Sequence, residues 1–158
     1  MGIKMQGVIG EGGYRVAKEC EVNGKAMVAK EYLPNSVDII NELGLALVKH
    51  AKKSVQMHVT AAHMAMKFGQ VLRSAGVENH FRYIDCFLGM VIDGPQLEQV
   101  ITVEPKLDGV FTKYINNDGE IFNVADLNKE DMAEALTHYS YELSNQQLLL
   151  VDVQGVGW

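Results

Sequence analysis

Two polar side chains near the end of the sequence, Asp152 and Gln154, are spaced for a shared role. In LLLVDVQGVG they follow four apolar residues of a predicted strand and lie two positions apart, so both side chains are expected on one face. Carboxylate and amide oxygens are hard donors, and a Mg²⁺ ion that keeps water and phosphate ligands needs only a few protein groups. The spacing therefore indicates part of a Mg²⁺ site.

Two basic residues in the first third of the chain are candidates for binding an anion. Arg15 follows the glycine-rich turn GEGG, where backbone amides can approach a phosphate closely. Lys30, in VAKEY, lies in an apolar strand, which is where nucleotide-binding folds place a phosphate-contacting ammonium. An ordinary β-turn and a lysine on the solvent side of an edge strand explain the same residues. The residues alone leave both alternatives open.

A proline ends the apolar strand in TVEPKLDG. Pro105 has no N–H to donate to a ladder, so we expect strand pairing to fail there and to expose the backbone from Glu104 to Leu107. These groups suit hydrogen bonding to a flat heterocycle at a junction between lobes. A simple exit from strand to loop is an equally good explanation.

Composition limits the class of protein. The chain has 158 residues, 47% of them hydrophobic, which fits one globular domain. Its net charge of −6, without a basic stripe, argues against nucleic-acid binding. No apolar run approaches the ~20 residues of a membrane span. The two cysteines, Cys20 and Cys86, have no paired spacing, and no signal peptide is visible, so a cytoplasmic location is predicted.

The elements that must position these residues are strands and helices with too few alternating βαβ units for a doubly wound sheet. Asn23-Gly24 between two alternating runs predicts a β-hairpin. From Ser36, as N-cap, to Gly76, as the residue after the last turn, apolar residues have helical spacing. The length predicts two helices, or one long helix weakened near Gly44.

The second half continues the mixture. FRYIDCFLGMVIDG and LEQVITVEP are predicted strands separated by a turn at Asp93-Gly94-Pro95, and a second turn is predicted over 117–119. NKEDMAEALTHYSYELSN is a predicted amphipathic helix, and QLLLVDV a predicted final strand. This order of elements predicts an α+β fold.

Histidines give little sign of a metal site. His50, His58 and His63 do not form a clean i,i+4 pair, so the helix that contains them is not expected to bind zinc. His138 lies among aromatic residues of the last helix, and a hydrogen-bonded core histidine is the expected role.

Four motifs in this order resemble the alpha-kinase family, the atypical protein kinases that include elongation factor-2 kinase and myosin heavy chain kinase. The motifs are GGYR, VAKEY, VEPKLDGVFTKYINNDG and LTHYSYELSNQQLLLVDVQGVG, and they extend from about residue 10 to residue 157. The resemblance implies a two-lobed, protein-kinase-like α+β fold, with an N-lobe sheet and helix over residues 1–103 and a partial C-lobe over residues 104–158. It also implies transfer of the ATP γ-phosphate to Ser or Thr of a protein substrate.

The resemblance assigns a role to each nucleotide-contacting residue. Arg15 resembles the arginine that contacts phosphate, and Lys30 the catalytic strand lysine that holds the ATP phosphates. Glu104 and Leu107 occupy the linker positions whose groups hold adenine. Lys113 resembles a second lysine that reaches the nucleotide.

The resemblance also assigns the metal positions. Asp152 resembles the carboxylate of the catalytic centre, and with Gln154 it would hold Mg²⁺. His138 falls at the position of the family's first zinc ligand. Family members continue beyond this strand into a Thr-Asp-Pro segment, a glycine-rich substrate loop and the remaining zinc ligands, which this sequence does not contain. We therefore expect a C-terminally truncated kinase domain that lacks zinc and is weak or inactive. The alternatives are a non-catalytic nucleotide-binding or interaction module, or a fragment of a longer kinase.

Overall fold

The computed structural model of the chain describes residues 2–78, 82–93, 96–122 and 127–156. Gly94 and Pro95 of the predicted turn at 93–95 lie outside these ranges. Contacts divide the chain into two units, Met1–Val59 with Ile84–Lys106 and Thr60–Tyr83 with Leu107–Trp158. The lobe boundary after residue 103 stays a prediction.

The first unit is built on a five-stranded antiparallel sheet. Its strands are β1 (Ile3–Glu11), β2 (Arg15–Val22), β3 (Lys25–Tyr32), β4 (Phe87–Asp93) and β5 (Gln96–Pro105), in the spatial order β1-β2-β3-β5-β4. The predicted hairpin at Asn23-Gly24 is confirmed, because both turn residues have positive φ (53° and 78°), as a two-residue hairpin turn requires.

The helical region is divided into two helices, as one of the two alternatives predicted. They are α1 (Pro34–Glu42) and α2 (Leu47–Ser74). Gly44, with φ +68°, lies in the break, and Gly76, with φ +74°, follows the end of α2. The predicted N-cap at Ser36 is wrong, because α1 begins at Pro34 and Leu33 is its N-cap. Proline suits the first helical position, where its missing N–H has no partner to lose.

The second unit contains a short two-stranded sheet, one helix of its own and the part of α2 that begins at Thr60. The sheet consists of β6 (Phe111–Lys113) and β7 (Gln154–Val156), and the helix is α3 (Leu127–Leu143). The helix and the turn at 117–119 are confirmed, and Gly119 has φ +89°. Ala65, Phe68 and Leu136 form a buried cluster of this unit.

The predicted final strand QLLLVDV is wrong. Residues 148–153 form no strand, and Leu148 and Leu149 are about half exposed, at 49% and 53%. Their backbone groups bond to side chains instead: Ser144 Oγ accepts from the Leu148 N–H, and the buried Ser140 Oγ accepts from the Leu150 N–H. Serine hydroxyls of this kind compete with ladder formation.

The described helices include none that is long and apolar enough to cross a membrane.

Candidate nucleotide-binding residues and their family

One face of the five-stranded sheet carries the candidate residues of the first unit. Lys30 of β3 lies opposite Thr102 of β5, and Arg15 of β2 lies opposite Tyr32 of β3. Paired residues share a face, and residues two apart on a strand share it too, so Glu104 joins them. We call Arg15, Lys30 and Glu104 the sheet cluster.

Lys30 is held by an ion pair within this cluster. Its Nζ lies 2.6 Å from Glu104 Oε1, and the two side chains are 35% and 17% exposed. The ammonium of Lys30 is therefore fixed in place, while part of the Lys30 side chain stays exposed to solvent. A comparable ion pair lies on the opposite face of the same sheet, where Lys18 Nζ is 2.7 Å from Glu31 Oε2.

Arg15 is held by neutral groups. Its guanidinium donates to Thr102 Oγ1 (3.1 Å), to the Tyr32 hydroxyl (2.7 Å) and to Ser54 Oγ (2.9 Å). Its Cζ also lies 4.4 Å from the centroid of the Tyr32 ring. Among the side chains that the structure describes, no carboxylate forms an ion pair with it. Its positive charge is therefore not neutralised by a direct partner.

The charges of this cluster affect the pKa of the Cys86 thiol. Burial raises the pKa of its thiol, the Glu104 carboxylate raises it further, and the charges of Lys30 and Arg15 lower it. Charges of both signs in the sheet cluster therefore act on this half-buried thiol.

The expected loss of pairing at Pro105 is wrong. β5 pairs with β3 through Pro105, which lies opposite Met27, and the next residue, Lys106, donates its N–H to Ala26 O (3.3 Å). The reason is that backbone groups of an antiparallel strand alternate between its two edges. Since Lys106 bonds towards β3, the missing N–H of Pro105 falls on the other edge.

Among the strands that the structure describes, none lies beside that other edge at Pro105. β4 begins at Phe87, which lies opposite Val103, so pairing on this side ends before the proline. The backbone from Glu104 to Leu107 is thus open on one edge only, and Leu107 is 36% exposed. The adenine-holding role of Glu104 and Leu107 stays a prediction.

The second unit brings three predicted residues together. Lys113 of β6 lies opposite Gln154 of β7. Lys113 Nζ is 3.1 Å from Asp152 Oδ1, and Gln154 Nε2 donates to Asp152 Oδ2 over 3.3 Å. We call Lys113, Asp152 and Gln154 the loop cluster.

Asp152 is not on a strand, contrary to the sequence-based expectation, and its backbone is left-handed with φ +55°. Its N–H donates to Asn116 O (3.0 Å), and the carbonyl of the next residue, Val153, accepts from the Tyr114 and Ile115 N–H groups. A non-glycine residue pays a free-energy cost in this conformation, and such residues concentrate at functional sites. The surrounding hydrogen bonds hold Asp152 in it.

Two residues of the loop cluster, Asp152 and Gln154, carry the hard oxygen atoms that would serve as two ligands of a Mg²⁺ ion. Both Asp152 oxygens face donors, and the side-chain pair Lys113–Asp152 is exposed (39% and 47%). Rotation of the Gln154 amide would present its oxygen beside the carboxylate, since amide N and O are placed by their hydrogen bonds. Among the described residues there is no group of three or more His, Cys, Asp or Glu that could hold a metal alone, so the other ligands would be phosphate and water.

Tyr83, in the second unit, experiences the Asp152 charge. Burial raises the pKa of its hydroxyl to about 12, and the Asp152 carboxylate contributes to that rise. Both effects favour the neutral phenol.

His138 is not a core residue, so that expectation is wrong. Its side chain is 78% exposed, on the solvent side of α3, and its Nε2 lies 3.7 Å from Glu134 Oε1 one turn earlier. Its position as a zinc ligand therefore has no structural support from the described neighbours.

Three residues around Arg15 were missed from the sequence. Thr102 had a signal, because it is the only polar residue within the apolar run VITV, and Tyr32 shares a face with Lys30. Ser54 gave no signal, since nothing in its helical surroundings distinguishes it from the other serines of the sequence.

Both clusters lie within residues 10–158, which match the model of the Alpha-kinase family. The chain belongs to the alpha-kinase family. The predicted membership is confirmed.

Relatives and solved structures agree with this assignment. Myosin heavy chain kinase C of Dictyostelium discoideum is 32% identical over 102 residues, which cover 65% of this chain and 12% of that protein. Human transient receptor potential cation channel subfamily M member 6 is 28% identical over 136 residues, 85% of this chain and 6% of that protein. The chain thus spans a small part of the length of these alpha-kinase relatives.

The fold is that of the alpha-kinase domain. The crystal structure of the alpha-kinase domain of myosin-II heavy chain kinase A in complex with AMP-PNP matches with a TM-score of 0.79 and 20% identity, over 98% of this chain and 70% of that one. The predicted α+β, kinase-like fold class is confirmed.

Proposed function

We propose that the chain binds ATP and acts as an alpha-type protein kinase that transfers the γ-phosphate to Ser or Thr of a protein. The observation that carries the proposal is the sheet cluster: two fixed cations, Lys30 and Arg15, share one sheet face, and Arg15 has no ion-pair partner among the described side chains. An unneutralised, rigidly held cation favours an anion such as a phosphate.

Lys30 would contact the ATP phosphates directly. Its ion pair with Glu104 (2.6 Å) fixes the ammonium, and its exposed fraction of 35% leaves donors free for an incoming phosphate. In phosphoryl transfer most catalysis comes from positioning and from neutralising the developing charge, which such a lysine can supply.

Adenine would bind along the open backbone edge between Glu104 and Leu107. The unpaired edge after Val103 offers main-chain groups without requiring the ladder to β3 to break. Hydrogen bonding to a flat heterocycle needs such groups in a fixed orientation.

Asp152 and Gln154 would hold Mg²⁺, which when bound neutralises phosphate charge. Lys113 Nζ lies 3.1 Å from Asp152 Oδ1 and keeps that carboxylate paired with a positive charge. Asp152 is also the residue to which we assign the catalytic carboxylate role.

The substrate class follows from the relatives. Myosin heavy chain kinase C is named for a protein substrate, and the matched kinase A domain was crystallised with a nucleotide analogue. A protein hydroxyl as acceptor and a cytoplasmic location, where ATP is available, are part of the proposal.

Nucleotide binding is tested by thermal denaturation with and without ATP. At 100 times its dissociation constant, ATP should add about 2.7 kcal/mol to the free energy of unfolding. Lys30→Ala should abolish this shift. Lys18→Ala, which breaks an ion pair of similar length on the opposite sheet face, should lower the midpoint yet keep the shift. A shift that survives Lys30→Ala would exclude the sheet cluster as the phosphate site.

Metal binding and transfer are tested separately. Added Mg²⁺ should tighten ATP binding in the unmodified chain, and Asp152→Asn should remove that tightening while metal-free binding stays. Transfer of radiolabelled phosphate to a threonine peptide tests the kinase activity. Binding without transfer would favour the alternative, a non-catalytic nucleotide-binding module.

A further inference from the structure

We propose that Tyr32, Ser54 and Thr102 are positioning residues that orient the Arg15 guanidinium towards a phosphate. The inference rests on the proposed nucleotide-binding function and adds three residues to it. None of the three needs to touch the nucleotide, because each acts through Arg15.

The three hydroxyls come from three different elements. Thr102 lies on β5 and is 2% exposed, Tyr32 lies on β3, and Ser54 lies on α2. Their distances to the guanidinium nitrogens are 3.1, 2.7 and 2.9 Å. A planar guanidinium bonded in three directions has little freedom left to rotate.

The chemical type of the three groups that bond to Arg15 matters as much as their number. A guanidinium has five N–H donors, and three are used here, so two remain for an anion. Hydroxyl oxygens accept these bonds without cancelling the charge, whereas a carboxylate would neutralise it. The contact of Arg15 Cζ with the Tyr32 ring, at 4.4 Å, adds a cation–π attraction that also leaves the charge intact.

Tyr32 is itself fixed from the helix side. Its hydroxyl lies 3.0 Å from His50 Nδ1, and the two rings meet edge-on with centroids 5.6 Å apart. One turn later on α2, Ser54 Oγ donates to the His50 carbonyl (3.2 Å) as well as accepting from Arg15. Residues of one helix thus hold Arg15 both directly and through Tyr32.

This arrangement predicts a loss of affinity for the phosphates and not for adenosine. Tyr32→Phe keeps the ring and removes only the hydroxyl, and it should weaken ATP binding roughly 10- to 150-fold, as expected for one hydrogen bond to a charged group. Ser54→Ala should have a smaller effect in the same direction. Adenosine affinity should stay unchanged in both variants.

The decisive experiment is a double-mutant cycle measured by calorimetric ATP titration. If Tyr32 acts through Arg15, Tyr32→Phe should weaken binding in the unmodified chain but have no further effect in an Arg15→Ala background. Equal effects in the two backgrounds would overturn the positioning role. Two controls match the chemistry: Tyr141→Phe removes a tyrosine hydroxyl on α3, and Ser74→Ala removes a serine that bonds to the carbonyl four residues earlier on α2, as Ser54 does.

The outcome separates this inference from the proposed function. If Arg15→Ala leaves ATP affinity unchanged, the phosphate-binding role of Arg15 fails, and the positioning role fails with it. If Arg15→Ala weakens binding but Tyr32→Phe and Ser54→Ala do not, only the positioning role fails. Far-ultraviolet circular dichroism of each variant checks that the fold is kept.

Discussion

The sheet cluster and the loop cluster each contain a lysine paired with a carboxylate, but the two pairs are built differently. Lys30–Glu104 measures 2.6 Å, its partners are 35% and 17% exposed, and both lie in paired strands. Lys113–Asp152 measures 3.1 Å, its partners are 39% and 47% exposed, and Asp152 lies in a left-handed loop conformation. The lysine–carboxylate pair is therefore held rigidly in the first unit, whereas the pair in the second unit can exchange its partners more easily.

The difference matches the two proposed tasks. Phosphate binding needs a cation that is already in place, and a ladder of backbone hydrogen bonds fixes Lys30 in register. A metal ligand must instead release its present partner when the ion arrives, and an exposed pair is weak enough to do so. Three predictions test this contrast.

The largest expected effect is a difference in stability between the two pairs. Glu104→Gln removes a partly buried charge partner and leaves the Lys30 ammonium without its counter-charge, so it should cost about 1–3 kcal/mol. Asp152→Asn breaks an exposed pair and should cost less than about 1 kcal/mol. Urea denaturation of both variants measures the two losses, and equal losses would contradict the distinction.

The second effect concerns alkaline pH. Because the pKa of Tyr83 is raised from 10.0 to about 12, the unfolded chain releases this proton at lower pH than the folded one. Stability from this group is complete below pH 10 and is lost as pH rises towards 12, by about 1.4 kcal/mol at pH 11. The slope between pH 9 and 11 should be shallower in Tyr83→Phe than in the unmodified chain.

One further variant tests the cause of that slope. Asp152→Asn should reduce it slightly, since the carboxylate is the smaller of the two contributions after burial. An unaltered slope in Tyr83→Phe would show that other groups control alkaline unfolding.

The smallest expected effect is an increase in the free energy of unfolding. Asp152→Gly relieves the left-handed conformation at φ +55°, and after loss of the exposed ion pair it should still raise the free energy of unfolding by about 0.5 kcal/mol. Asp108→Gly makes the same change where φ is not positive, and it should lower stability by about 0.5–1 kcal/mol through backbone entropy. A loss of stability in Asp152→Gly would mean that the strain is small.

Local signals predicted the elements that depend on local chemistry. Asn23-Gly24 specifies its hairpin because both residues accept positive φ, and Gly44 marks the helix break for the same reason. The spacing of Asp152 and Gln154 predicted that they act together, although the strand assumed at Asp152 does not form. Lys113 was assigned to the nucleotide by resemblance alone, and its contact with Asp152 was not predicted.

The predictions that failed depended on contacts that the local residue pattern does not specify. The run at 148–151 has a strand-like composition, but two serine hydroxyls take its backbone bonds. His138 has apolar neighbours in sequence, yet the helix turns it towards solvent. Ser54 acquires its importance from Arg15, 39 residues away, and no spacing rule reaches that far.

Pro105 has a consequence for assembly as well as for binding. An exposed strand edge ordinarily invites a strand from another molecule, which can cause aggregation. At this position the edge beside the proposed adenine site lacks the donor that an added strand would need, while the ladder on the inner edge is complete. A single residue thus disfavours strand addition at the edge where we propose that adenine binds.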